Sequence, residues 1–101
     1  MRKLPSKAVQ KYAQNIERAL SMAKLSFEEV DGFMGFEHEQ QWFDFPNSLR
    51  ISCFFISEEH MQRVLSKQEA ELIKILQLSF LKVGVKFRYI RNNVIFCVSS
   101  G

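Results

Sequence analysis

The sequence predicts an α+β fold: a two-layer sandwich in the order α-β-β-α-β-β, with helices packed on a mainly antiparallel four-stranded sheet. Three observations predict it. Two long segments repeat apolar residues every three to four positions, the spacing of one helical face. Four short runs are rich in β-branched and aromatic residues, and turn residues separate the members of each pair. The chain of 101 residues has 47 % hydrophobic and 25 % charged residues, a balance that excludes a disordered tail, a collagen-like repeat or a disulfide-dense scaffold. One domain spanning residues 1–101 follows from that length.

The first helix is expected over residues 6–24. Val9, Tyr12, Ala13, Ile16, Ala19, Leu20 and Ala23 fall on one stripe, opposite Lys7, Lys11, Gln14, Arg18 and Ser21. Ser6 after Pro5 is suited to cap it. Ser26-Phe27-Glu28-Glu29 has the form of a capping box, so a further helical turn is expected before Asp31-Gly32 interrupts it. A first strand is expected between Phe33 and Phe45, followed by the turn Phe45-Pro46-Asn47-Ser48. Leu49–Ile56 then reads as a strong strand, with Leu49, Ile51, Cys53 and Phe55 on one face. These two runs form the first expected hairpin.

Ser57 is a good cap for a helical region over residues 58–83, with Glu58 and Glu59 at its positive end. A break is expected near Ser66-Lys67-Gln68-Glu69, and Gly84 suits a left-handed end. Val85 to Ile90 alternates, Arg91-Asn92-Asn93 turns, and Val94–Val98 closes a second expected hairpin.

Charge is uneven along the chain. Net charge is +3, made of +5 over residues 1–24, −7 over 25–60 and +5 over 61–101. Such segregation reads either as complementary surfaces or as differing solvated faces. No apolar run approaches the roughly 20 residues that span a bilayer, so no membrane association is expected. Met1 to Pro5 lacks a following apolar segment, so no secretory signal is expected and a cytoplasmic, reducing location is. Cys53 and Cys97 each lie inside an apolar run without any C-x-x-C spacing, which is the setting of small buried hydrophobes.

Three segments carry a likeness to known proteins: Asp31-Gly32-Phe33, the stretch from Phe45-Pro46-Asn47-Ser48 to Phe55, and Gly84-Val85-Lys86 leading to Ile90–Phe96. They resemble a small bacterial family of uncharacterised proteins, mainly through the F-P-x-S-L-x-I-x-C-x-F stretch. Some members are labelled Fis-like regulators, which implies an all-helical DNA-binding protein with a helix-turn-helix. The two hairpins read from this chain imply an α+β domain instead. Family members also tend to continue into an acidic tail with Asn and Trp, whereas this sequence ends at Gly101.

No pattern of catalytic residues emerges, and no enzymatic activity, cofactor or metal is expected. Glu37-His38-Glu39 is the densest polar cluster, but on a strand His38 points away from the two carboxylates. Charges that blunt a sheet edge are the simpler reading. Gly32-Phe33-Met34-Gly35 has the G-x-x-G form of a nucleic-acid clamp, but it precedes a strand rather than joining two helices. Neither cysteine has a histidine set beside it by sequence.

Two binding surfaces are expected. Phe54 and Ile56 on the second strand, Ile90 on the third and Ile95 on the fourth lie on the non-core parity, as does Cys97. If helices cover one sheet face only, these residues form an apolar patch on the other, and such patches mark interfaces. The expected function is a small binding or scaffolding module acting through protein–protein contacts, with a homodimer as one form. The alternative is a nucleic-acid-associated regulator that uses Lys82, Lys86, Arg88 and Arg91. In that alternative Phe87 and Tyr89 fall on the core side, leaving a basic strip for phosphates only.

Overall fold

Ile16, Ala19, Leu20, Ala23 and Phe27 are buried along one side of helix α1 (Ser6–Phe27) in the computed structural model, which describes residues 6–99. Met1 to Pro5 and the side chain of Ser6, the expected cap, lie outside the described residues. The stripe packs α1 against helix α2 (Glu58–Lys82), and the fully buried Ala19 and Ala23 suit a close approach. The helix runs through Ser26 instead of restarting there, because Phe27 is gripped by two rings. Its centroid lies 5.1 Å from that of Phe33 and 4.9 Å from that of Phe36. Burying a Phe is worth roughly 1.5–3 kcal/mol, which outweighs a local capping signal.

Three strands form one sheet: β1 (Phe33–Glu39), β2 (Arg50–Phe55) and β3 (Val94–Val98), in the order β1-β2-β3. β1 runs antiparallel to β2, with Phe36 opposite Cys53 and Glu39 opposite Arg50. β1 ends earlier than expected, and a 3-10 turn at Trp42–Asp44 follows it. Tyr12 of α1 stacks on Phe45 at 4.7 Å and on Trp42 at 6.2 Å, which draws this connection onto the first helix. The Phe45–Pro46 peptide in the turn is cis.

The four-stranded, mainly antiparallel sheet is not what forms. β3 lies parallel to β2, with Ile51 beside Val94 and Phe55 beside Val98, so the sheet is mixed and three-stranded. Val85–Tyr89 makes no ladder, and the second hairpin is absent among the described residues. The alternation there has another cause. Val85 and Phe87 are buried while Lys86 and Arg88 face water, and Phe87 meets Phe80 edge-on at 5.2 Å. An extended segment lying half-buried along a helix has the same period of two as a strand. Ile90–Asn93 then forms a 3-10 turn leading into β3.

α2 follows the sequence more closely. Ser57 Oγ accepts the His60 backbone N–H at 3.2 Å, capping the helix. Gln68 departs from helical geometry (φ −143°, ψ 24°), giving the expected break. Gly84 ends the helix at φ +80°, and Val85 donates its N–H to the Phe80 carbonyl at 2.9 Å, the six-to-one bond of a Schellman end. Ile51, Leu76 and Phe87 join the helices and the sheet in one buried cluster.

A candidate interaction surface

Side-chain alternation on β2 separates the two faces of the sheet. Ile51, Cys53 and Phe55 are fully buried beneath the helices, and their neighbours Phe36 and Phe96 pack on the same core. Arg50, Ser52 and Phe54 therefore point to the opposite face. Across the strands this face reads Gly35, Phe54 and Cys97 in one row, Glu37, Ser52 and Ile95 in the next, and Glu39 with Arg50 in the last. No helix among the described residues lies over it, since the buried stripes of α1 and α2 belong to the core on the other side.

Three of the residues expected in the patch lie outside the core. Ile95 is 39 % exposed, Ile56 is 55 % exposed, and Phe54 is half-buried beside Gly35, which offers no side chain of its own. Ile90 must be removed from the set. It is only 6 % exposed and belongs to the core, because its segment is a 3-10 turn under the helices and not a strand of the sheet. Met34, exposed at the bulge beside Gly35, is an apolar neighbour that sequence parity missed. The bulge inserts one residue and shifts the register, and nothing in the local sequence but the flanking glycines signals it.

The acidic rim and the cysteines follow the geometry. Glu37 and Glu39 share the open face, whereas His38 turns to the helical side, with Nδ1 2.6 Å from Gln40 Oε1 and Nε2 3.4 Å from Glu17 Oε1. Burial, with a smaller effect of Cys97, pushes the Cys53 thiol up to about 12. Loss of solvent, then the Glu37 carboxylate, raises Cys97 as well. The two thiols occupy opposite faces, and Cys97 Sγ donates instead to the Cys53 carbonyl at 3.8 Å. Among the described residues no three His, Cys, Asp or Glu side chains gather closely enough to hold a metal ion.

Ser57, His60 and Asp31 have the residue types of an acyl-transfer triad, and Ser57 Oγ lies 2.6 Å from His60 Nδ1. Their geometry is that of a helix cap. The same hydroxyl accepts the His60 backbone N–H, and Asp31 is 3.9 Å from His60 Nε2, beyond hydrogen-bond reach. Arg63 approaches Asp31 at 3.5 Å and completes a surface ion pair.

The basic strip is rearranged. Lys82, Lys86 and Arg88 are exposed and have no carboxylate partner among the described residues. Arg91 is engaged by Glu69 at 2.8 Å. Tyr89, expected on the core side, is 68 % exposed and lines an open concavity with Arg88, Arg91 and Gln77. Leaving the strand frees its ring from the parity that a ladder would impose.

Asn93 is a buried polar residue whose role its turn-like sequence hides. Its amide donates to the Leu49 carbonyl at 2.7 Å and to the Asn47 carbonyl at 3.3 Å, fastening the start of β3 to the turn before β2. Comparison with models of protein families, with curated proteins and with solved structures found no match.

Proposed function

We propose that this protein is a non-enzymatic binding or scaffolding module of the cytoplasm that acts through protein–protein contacts at the open face of its sheet. The carrying observation is that Phe54 and Ile95, in adjacent rows of the sheet face away from both helices, lie outside the core, with Ile56 exposed just past the end of β2. Apolar groups on such a face gain by being covered, at roughly 25 cal/mol per Å². The acidic pair Glu37 and Glu39 beside Arg50 supplies a polar rim, the usual surround of an interface core. The likeness to the small bacterial family belongs to the same proposal. Its matching residues Leu49, Ile51, Cys53 and Phe55 are core positions, so it bears on the fold more than on a partner.

The test is a pair of charge substitutions, Phe54→Glu and Ile95→Lys. Both should leave the chain folded, while the mass seen by light scattering falls or a partner captured by the native protein is lost. Unfolding of both variants would place these side chains in a closed core. Folded variants with unchanged mass and partners would remove the face as an interface.

A second reading is favoured by the exposure of Tyr89 beside Arg88 and Arg91. An aromatic ring flanked by guanidinium groups suits a stacked base and its phosphates. Replacing Lys86, Arg88 and Arg91 by Ser should then weaken binding of a labelled oligothymidine and flatten its salt dependence. Absence of binding by the native protein at low salt would eliminate this reading.

A further inference from the structure

The two edges of the sheet are defended unequally. β1 carries Glu37, His38, Glu39 and a bulge, all of which discourage further pairing. β3 is Val94-Ile95-Phe96-Cys97-Val98, with no charge, no proline and no bulge. Ser99 donates its backbone N–H to the Phe55 carbonyl at 2.9 Å, so the odd-numbered positions turn their amides toward β2. Val94, Phe96 and Val98 therefore turn their N–H and C=O groups outward. Among the described residues no turn, loop or side chain satisfies them.

We propose that β3 is a pairing edge for a second copy of this chain, joined antiparallel about a twofold axis that passes between Phe96 and Phe96 of the second copy. The occupant is indicated by the strand's own near-palindromic order. With Phe96 opposite Phe96 of the second copy, Val94 meets Val98 and Ile95 meets Cys97, so every position is matched by an apolar one. In this register the outward-facing residues oppose one another, and each such pair exchanges both of its N–H···O bonds. A register shifted to set Cys97 against Cys97 leaves part of the short strand unpaired. The axis stands perpendicular to the sheet, so the helices of both copies lie on one side and the two open faces join into one surface. This pairing uses the edge and goes beyond the proposed use of the face; either can hold without the other.

Ile95 and Cys97 fall on non-hydrogen-bonded positions of the new ladder, where opposed Cα atoms are about 4.5 Å apart, within disulfide reach. The experiment is oxidation of full-length Ile95→Cys with copper–phenanthroline, followed by a non-reducing gel and peptide mapping. A covalent dimer linking Cys97 to the introduced residue of the other copy is expected. Its yield should exceed that of the native chain, in which Cys97 is the one cysteine outside the core and Cys53 is buried, at least tenfold. A monomer under these conditions, or equal crosslinking of the native chain through Cys97, would overturn the proposal. Val98→Pro in the same background blocks an outward amide without touching a bond to β2, and should abolish the crosslink in a folded chain. Crosslinking that survives in that folded variant would also overturn it; if the variant fails to fold, Ile95→Cys alone decides. Phe54 lies in the central strand and off the edge, so the crosslink should persist when Phe54→Glu is added to Ile95→Cys. Its loss in that folded variant would assign the contact to the open face and overturn the edge, and the two readings fail separately.

Discussion

Gly32→Ala tests how the first strand is anchored to the second helix. Gly32 has φ +82°, and a Cβ there would sit 2.6 Å from His60 Cβ and 2.9 Å from His60 Cγ. Its carbonyl accepts the Ile56 N–H at 2.7 Å, so the residue cannot swing away without releasing the end of β2. Two costs add. A non-glycine residue in the left-handed region costs about 1–2 kcal/mol, and forcing a methyl into a filled space about 1–3 kcal/mol. The sum is about 2–5 kcal/mol, a large part of a small domain's stability. Gly84→Ala is the control, since φ is +80° but nothing lies within 4 Å of the added Cβ. It should lose only about 1–2 kcal/mol. Urea unfolding of both variants reads the difference directly. His60→Ala should rescue Gly32→Ala poorly, because the nearest atom is the His60 Cβ that alanine keeps, whereas His60→Gly should rescue it. Equal losses in the two glycine variants would refute the close approach.

Three other outcomes are expected. Asn93→Ala should cost about 1–3 kcal/mol in thermal or urea unfolding, because it removes the donor to the buried Leu49 carbonyl and a second bond to the Asn47 carbonyl. Ile51→Ala and Phe87→Ala should each cost about 2–5 kcal/mol, and unchanged stability in both would invert the face assignment. The buried Cys53 thiol keeps its proton to about pH 12, whereas in the unfolded chain it releases it near its ordinary value of 9.0. Between those values the unfolded state binds fewer protons, so stability falls as pH rises, by up to about 1.4 kcal/mol per pH unit. Cys53→Ala should flatten that slope in urea titrations above pH 9, and an unaltered slope would show that the thiol is not responsible.

Both helices, the break at Gln68, the end at Gly84 and the β1–β2 hairpin were legible because each rests on a local signal: a stripe, a cap or a turn. The pairing of β3 was not. Val85–Tyr89 and Val94–Val98 flank a turn-like Arg91-Asn92-Asn93, and period two marks a half-buried extended chain without saying what it pairs with. The parallel partnership with β2 is a long-range choice, made by the core that Phe80, Phe87 and Ile90 fill between helices and sheet. The same error carried Ile90 onto the wrong face and hid Tyr89. Phe54 and Ile95 survived it, because their parity depends only on the strands that hold them.

The measurement that bears most directly on the open face as a contact surface is light scattering and partner capture on Phe54→Glu, with thermal unfolding recorded in parallel. Phe54 stands in the central strand, half-buried beside Gly35 and away from the helical core. A melting temperature within a few degrees of the native value, with reduced mass or a lost partner, is the predicted result. Loss of the folded state would show that Phe54 belongs to a closed interior, and a folded variant with native mass and native partners would contradict the account.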